Sequence, residues 1–275
     1  MIDAHAAFAR LAAQAALGPR FVGSEGHARV QELLCEWLAA ADRVREHAFE
    51  AEFFGRQERV VSFTAHCAGN RPGRLLLGTH YDTRPWADRD PDPERRHDPV
   101  LGANDGGSGT ALLAELIVPL MRDRDRPSID IVLFDAEDWH EIDGKEVSLG
   151  ARRFVEALGD AERPDAVVIV DMVAGRDLML DVDFSCEEHA PSYDLTRELF
   201  QLARSLSLPA FEMRKPQPYK WISCDHTPFR DAGIPTALLI DIDYPPWHTI
   251  DDTVRHCDAA ALAQIGVLLE RVIYG

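Results

Sequence analysis

The sequence predicts an α/β fold, a single domain over residues 1–275 with a central mixed, mostly parallel sheet covered by helices on both faces. Three observations predict it. Short apolar runs recur without the in-out alternation of a strand that has one wet face, so both faces of the sheet are buried. Segments with apolar residues at helical spacing alternate with those runs. No repeat, low-complexity tract or flexible linker divides the chain.

The elements follow in order. Residues 3–16 and 25–41 carry apolar side chains at helical spacing, and the breaker run 18–27 (GPRFVGSEGH) separates them. Ser24, three residues before His27, is placed as the cap of the second helix. Residues 59–68 and 74–82 read as strands, the second almost uniformly apolar and therefore central. After a polar loop over 83–101 come a helix at 107–121, a buried strand at 129–138, a helix at 148–158 and a buried strand at 166–172. A helix over 191–206, a short helix over 225–233 closed by Gly233, a strand over 235–243 and a last helix over 258–273 complete the chain.

Composition narrows the function classes. With 46% hydrophobic and 28% charged residues the chain is of ordinary globular make-up, long enough to bury a core without disulfides. Its five cysteines are odd in number and form no CxxC pair, so free thiols are expected. A formal charge of −18 repels phosphate backbones and anionic lipid, which argues against nucleic acid or a membrane surface as partner. No stretch approaches the roughly 20 apolar residues of a membrane span. The first residues lack a signal-peptide pattern, so the chain as given reads as cytoplasmic, or as periplasmic or secreted if a leader was removed. A monomer is expected.

The ionisable residues fall at one place in the predicted fold. His80 and Asp82 end the second strand, Asp105 sits before the helix at 107, and the strand from 129 runs into Asp135, Glu137 and Asp138. Asp171 ends the next strand, and the last one feeds the loop 244–252 (YPPWHTIDD) with Trp247 and His248. In open α/β sheets ligands bind outside the carboxyl ends of the strands. Singly, each acid is an ordinary turn former, a cap (Asp105) or a solvated pair (Glu137 with Asp138). Crowded on one edge they repel one another unless a cation neutralises them. One histidine with two or more carboxylates suits zinc with an open position. Glu137 and Asp138 leave the strand pointing different ways, so that one can bind metal while the other serves as general acid/base. Glycines after Asp105 allow close approach.

Taken in order, His80-Tyr81-Asp82, Gly102-Ala103-Asn104-Asp105, Asp135-Ala136-Glu137-Asp138, Asp171 and Trp247-His248-Thr249 resemble the zinc aminopeptidase-like superfamily over nearly the whole chain. Within it the segments 19–34 and 79–93, 225–229 (DHTPF), and Trp-His-Thr followed by two acids are similar to glutaminyl cyclases (glutaminyl-peptide cyclotransferases) of the bacterial type. That resemblance implies one zinc held by Asp105, Asp138 and His248, with Glu137 as proton shuttle and Asp171 orienting the substrate amide. Trp247, with Tyr244, Trp139 and Trp221, would wall a glutamine pocket, and Asp82, His80 and Asp225 would stand behind the ligands. The implied reaction is cyclisation of the N-terminal glutamine of a peptide to pyroglutamate with release of ammonia.

The sequence departs from the animal cyclases in four places. Asp138 stands for a Glu, Thr79 for a disulfide Cys, Cys224-Asp225 for a double acid, and Leu238 near a histidine. The alternative is a co-catalytic two-zinc aminopeptidase, in which His80 and Asp171 complete a second site bridged by Asp105 and Glu137 activates water. A third reading, a binding domain without chemistry, gives little reason to keep Glu137 beside a complete ligand set.

Overall fold

The structure, a computed structural model, describes residues 2–212 and 220–275. Its framework is a six-stranded sheet in the order β1-β2-β4-β3-β5-β6. The strands are β1 (Arg43–Phe53), β2 (Arg56–Cys67), β3 (Arg74–His80), β4 (Ser128–Phe134), β5 (Ala166–Asp171) and β6 (Thr236–Ile240). β3, β4, β5 and β6 run parallel, while β2 lies antiparallel to β4 and to β1. The helices are α1 (Ala4–Ala15), α2 (Glu25–Leu38), α3 (Ser108–Arg122), α4 (Leu149–Glu156), α5 (Ala190–Ser205), α6 (His226–Asp231) and α7 (Ala259–Tyr274). None of the described helices is long and apolar enough to cross a membrane.

Alternate residues of the parallel strands feed two cores, as a strand period of two requires. Leu75, Leu77, Val168, Val170, Ala237 and Leu239 pack on one face with α1, α2, α3, α5 and α7. Leu76, Val167, Ile169, Leu238 and Ile240 pack on the other with α4 and α6. Both faces are covered, which is why these strands read as unbroken apolar runs. α3 sits close on the sheet because Gly109 has no Cβ. One built there would lie 2.2 Å from the Thr79 hydroxyl and 2.5 Å from the Val170 carbonyl.

The sequence reading passed over β1 and the first residues of β2. Their tight turn has Phe54 and Gly55 at φ 49° and 73°, the twin left-handed pattern that lets a two-residue loop follow the strand twist. Ser24 caps α2 as expected, its hydroxyl accepting from the His27 N–H at 3.0 Å. α2 ends at Leu38, three residues short of the predicted limit, and the strand begun at 129 ends at Phe134 rather than 138. All five cysteines are free.

Candidate metal centre and substrate cleft

The parallel register aligns the carboxyl ends of the central strands. His80, the last residue of β3, pairs with Phe134 at the end of β4, and Asp171 at the end of β5 pairs with Ile240 of β6. Loops leaving those ends fold over the rim, and non-glycine residues at positive φ occur in them, among them Ala136, Met172 and His248, at 54°, 48° and 56°. Such conformations persist only where surrounding structure holds them. Gly106 makes another close approach possible. At φ 71° its backbone packs against the Asp82 carbonyl, which a Cβ would meet at 2.1 Å, with the His80 ring at 3.2 Å. Here the glycine accommodates the protein's own chain.

Two groups of ligand-type atoms result, Asp105–Asp138–His248 and His80–Asp105–Asp171, each with its atoms within 4.8 Å of one another and all residues buried. Asp105 belongs to both. His248 Nε2 lies 3.1 Å from Asp138 and 3.7 Å from Asp105. His80 Nε2 lies 3.1 Å from Asp105 and 3.4 Å from Asp171. The far nitrogen of each ring faces another carboxylate: His80 Nδ1 is 3.4 Å from Asp82, and His248 Nδ1 is 3.5 Å from Asp88. Neither Nδ1 makes a hydrogen bond to a described residue, so these carboxylates act on the rings through charge, which favours an imidazole that binds a cation. The donor set therefore fits a divalent cation. Asp138 keeps one buried oxygen without a hydrogen-bond partner among the described residues, as a ligand awaiting an ion would.

Electrostatics points the same way. Burial and the neighbouring Asp138 push Asp105 up to about 6. Burial disfavours charge on His248, but Asp138 overrides it and raises the ring to about 9. Asp138 is itself held below its ordinary value, because His248 and Arg84 outweigh the cost of burial. Glu137 is pushed far above the usual carboxyl range, first by burial and then by Asp225, Asp138 and Asp171. These acids are crowded into a space with too little positive charge, which a dication would supply.

Two buried acids hold the site's loops in place. Asp82 accepts the Glu137 and Asp138 backbone N–H groups at 3.0 and 3.3 Å, which sets the turn after β4. Asp252 accepts the Asn104 and Asp105 N–H groups, both at 3.0 Å, and the Tyr244 hydroxyl at 3.0 Å. It ties the loop before α3 to the loop after β6. Asp105 does not cap α3, whose cap position is Gly107. Asp135 turns away from the rim and accepts from His27 at 2.9 Å and from the Val61 N–H at 2.8 Å.

A cleft of about 770 Å³ opens over the centre. Asp105, Glu137, Asp138, Asp171 and His248 line it, and Trp247, Tyr244 and Trp221 form part of its wall. Glu137 accepts the Ser148 hydroxyl at 3.0 Å. Asp171 accepts the Cys224 thiol at 3.3 Å. Asp225 is buried beneath, and burial raises it to about 8 against the opposing pull of His80 and the Ser148 hydroxyl.

Trp139 is the correction: it is fully buried away from the cleft, with its ring 4.5 Å from Phe53 and 6.5 Å from Phe21. Consecutive side chains diverge, so the turn that sends Asp138 to the rim sends its neighbour into the core. Arg84, Asp88, Arg89, Ser148 and Cys224 touch the site or line the cleft without having been singled out for it. Arg84, Asp88 and Arg89 lie inside the segment 79–93 and Cys224 stands beside Asp225, both parts of the family resemblance, whereas Ser148 has no such signal in the sequence.

The sequence model of peptidase family M28 matches residues 62–273. Among solved structures, the glutaminyl cyclase of Bacteroides thetaiotaomicron bound to N-acetylhistamine is 27% identical with a TM-score of 0.90, covering 100% of this chain and 98% of that one. The Tannerella forsythia glutaminyl cyclase is 26% identical with a TM-score of 0.89, covering 100% and 99%. A leucine aminopeptidase precursor from Bacteroides thetaiotaomicron is 27% identical with a TM-score of 0.90, covering 100% and 98%.

Proposed function

We propose that this chain, which belongs to peptidase family M28, closes the N-terminal glutamine of peptides into pyroglutamate with release of ammonia. The observation that carries this reading is the placement of Glu137 beside Asp105, Asp138 and His248 at the floor of a cleft walled by Trp247. Likeness to glutaminyl cyclases supports it.

Asp105, Asp138 and His248 would hold one zinc. Zinc there would supply a Lewis acid for the γ-carbonyl and a positive charge that favours the ionised form of Glu137. The substrate's amine attacks its own γ-carbonyl carbon, so the cleft's task is to fold the side chain back. Orienting such an intramolecular pair is worth several kcal/mol, up to about 7–11 in the best cases. Glu137 takes the proton released by the amine as the new C–N bond forms. It returns that proton to the departing nitrogen as the old C–N bond breaks, and ammonia leaves. Its reach is set by Asp82 through the backbone and by Ser148 through the carboxylate. Asp171, steadied by the Cys224 thiol, accepts from the substrate amide N–H.

The second ligand group, His80–Asp105–Asp171, favours a second reading, a two-zinc aminopeptidase in which Glu137 activates water. Incubation with a Gln-terminated dipeptide separates the two. Cyclisation yields ammonia and a pyroglutamyl product in equal amounts with about one zinc per chain. Free glutamine and two zinc ions would sink the cyclase reading.

A further inference from the structure

Besides histidines, the cleft is lined by three cationic side chains, Arg84, Arg89 and Lys220. Two are committed. Arg84 forks onto Asp88 at 2.7 and 2.8 Å and reaches Asp138 at 3.3 Å. Lys220 pairs with Asp181 at 2.9 Å and Asp243 at 2.6 Å. Arg89 makes no side-chain hydrogen bond or ion pair with any described residue. Residues 213–219, outside the described part, contain no acid. Its guanidinium lies over Trp247, with the guanidinium carbon 3.8 Å from the ring centroid. A free guanidinium is notable in a chain where acids outnumber Lys and Arg by 47 to 29.

Seated over the indole, the guanidinium keeps its N–H donors free of acceptors among the described residues, and a guanidinium fork matches the two oxygens of a carboxylate. The backbone reinforces the placement, because the Arg89 N–H donates to the His248 carbonyl at 3.2 Å. Arg89 therefore rides on the loop that supplies both a ligand and the pocket wall. Most other charged groups on the described cleft surface are acids, which repel an anionic peptide, so among the described residues Arg89 is the unpaired cation that a substrate carboxylate would meet.

We propose that Arg89 is a specificity-determining residue that pairs with a carboxylate carried by the peptide beyond its first residue. This rests on the reading that the cleft takes peptide N-termini. The carboxylate comes either from the C-terminus of a dipeptide or from an acidic side chain at the second position.

Three peptides distinguish the sources: Gln-Ala, Gln-Ala amide and Gln-Glu amide, each compared in wild type, Arg89→Gln and Arg89→Lys. The expected result is a kcat/KM for at least one carboxylate peptide about fivefold above that for Gln-Ala amide, carried by KM and shrinking at high salt. In Arg89→Gln the ratio falls to about one, and Arg89→Lys restores part of it. Preference for Gln-Ala alone identifies the C-terminus, and preference for Gln-Glu amide identifies the side chain. An unchanged ratio in Arg89→Gln, or no preference in wild type, overturns the proposal. Release of free glutamine instead of pyroglutamate counts against the cyclase reading only, since the same ratios can be read on either product. Calorimetric binding of the three peptides to zinc-loaded Glu137→Gln gives those ratios even without turnover.

Discussion

Glu137 combines three properties that a proton shuttle needs: an exit to the cleft, a hydrogen bond from Ser148, and a carboxyl group raised first by burial and then by neighbouring acids. Glu137→Gln keeps the shape and removes the proposed base. We expect it to bind zinc normally and lose at least about 100-fold in kcat, the scale of general acid–base catalysis. A variant within tenfold of wild type would rule out the shuttle role. His248 faces Asp138 and Asp105 with one ring nitrogen and Asp88 with the other, so it can serve as a ligand only in the neutral form. His248→Ala should lose most of its zinc on dialysis, measured by metal analysis, and unchanged metal content would refute its place in the centre. Trp139 shows the limit of reading residues singly. Adjacent to a rim acid in the chain, it is fully buried with Phe53 and Phe21 because neighbouring side chains diverge.

At the level of elements, the site is two loops joined by one buried carboxylate. Asp252 binds the loop before α3 through two backbone N–H groups and its own loop through Tyr244. Asp252→Ala strands three buried donors, at a cost on the order of 1–3 kcal/mol each at most. The expected outcome is a lower melting temperature together with zinc affinity weakened about 10- to 100-fold, since outer partners orient ligands. Equal zinc affinity in a titration would show that the loops hold without it. The elements differed in how plainly they could be read. β3, β4, β5 and β6 stand out because burial on both faces demands apolar residues throughout. β1 does not, because it lies at the sheet edge with most of its residues exposed or half-exposed and charges at Arg43, Arg45, Glu46, Glu50 and Glu52. An edge strand need only satisfy one neighbour, so its sequence carries little apolar signal.

For the whole molecule, the buried acids make stability depend on pH and on metal together. Asp225 and Asp252 sit at about 8 and about 7, both raised from 3.8 chiefly by burial. Between 3.8 and those values the folded chain keeps protons that the unfolded chain has released, so stability falls as pH rises through that window. His248, raised from 6.5 to about 9, acts in the same sense across its own interval. Metal-free protein should therefore melt at steadily lower temperature from about pH 5 to about pH 9 by scanning calorimetry. Zinc should flatten that slope, because binding needs deprotonated ligands and adds its own free energy to the folded state. A metal-free melting temperature that climbs over this range would contradict the assignment of these groups as buried and strained for charge.

The sequence by itself determined the class of fold, the parallel core and the residues delivered to the rim: Asp105, Glu137, Asp138, Asp171 and His248. These were legible because each follows an apolar strand or interrupts a loop with a side chain the core has no use for. Only the tertiary structure decided which of them meet. It made Asp105 common to two candidate ligand groups, set Asp82 and Asp252 behind the loops that carry them, and left Arg89 over Trp247 with no ion-pair partner among the described residues while Arg84 and Lys220 are paired. The reason is range. Apolar burial imprints a local period on the chain, whereas hydrogen bonds and charge pairs act over a few ångströms between residues far apart in sequence, and leave no period to read.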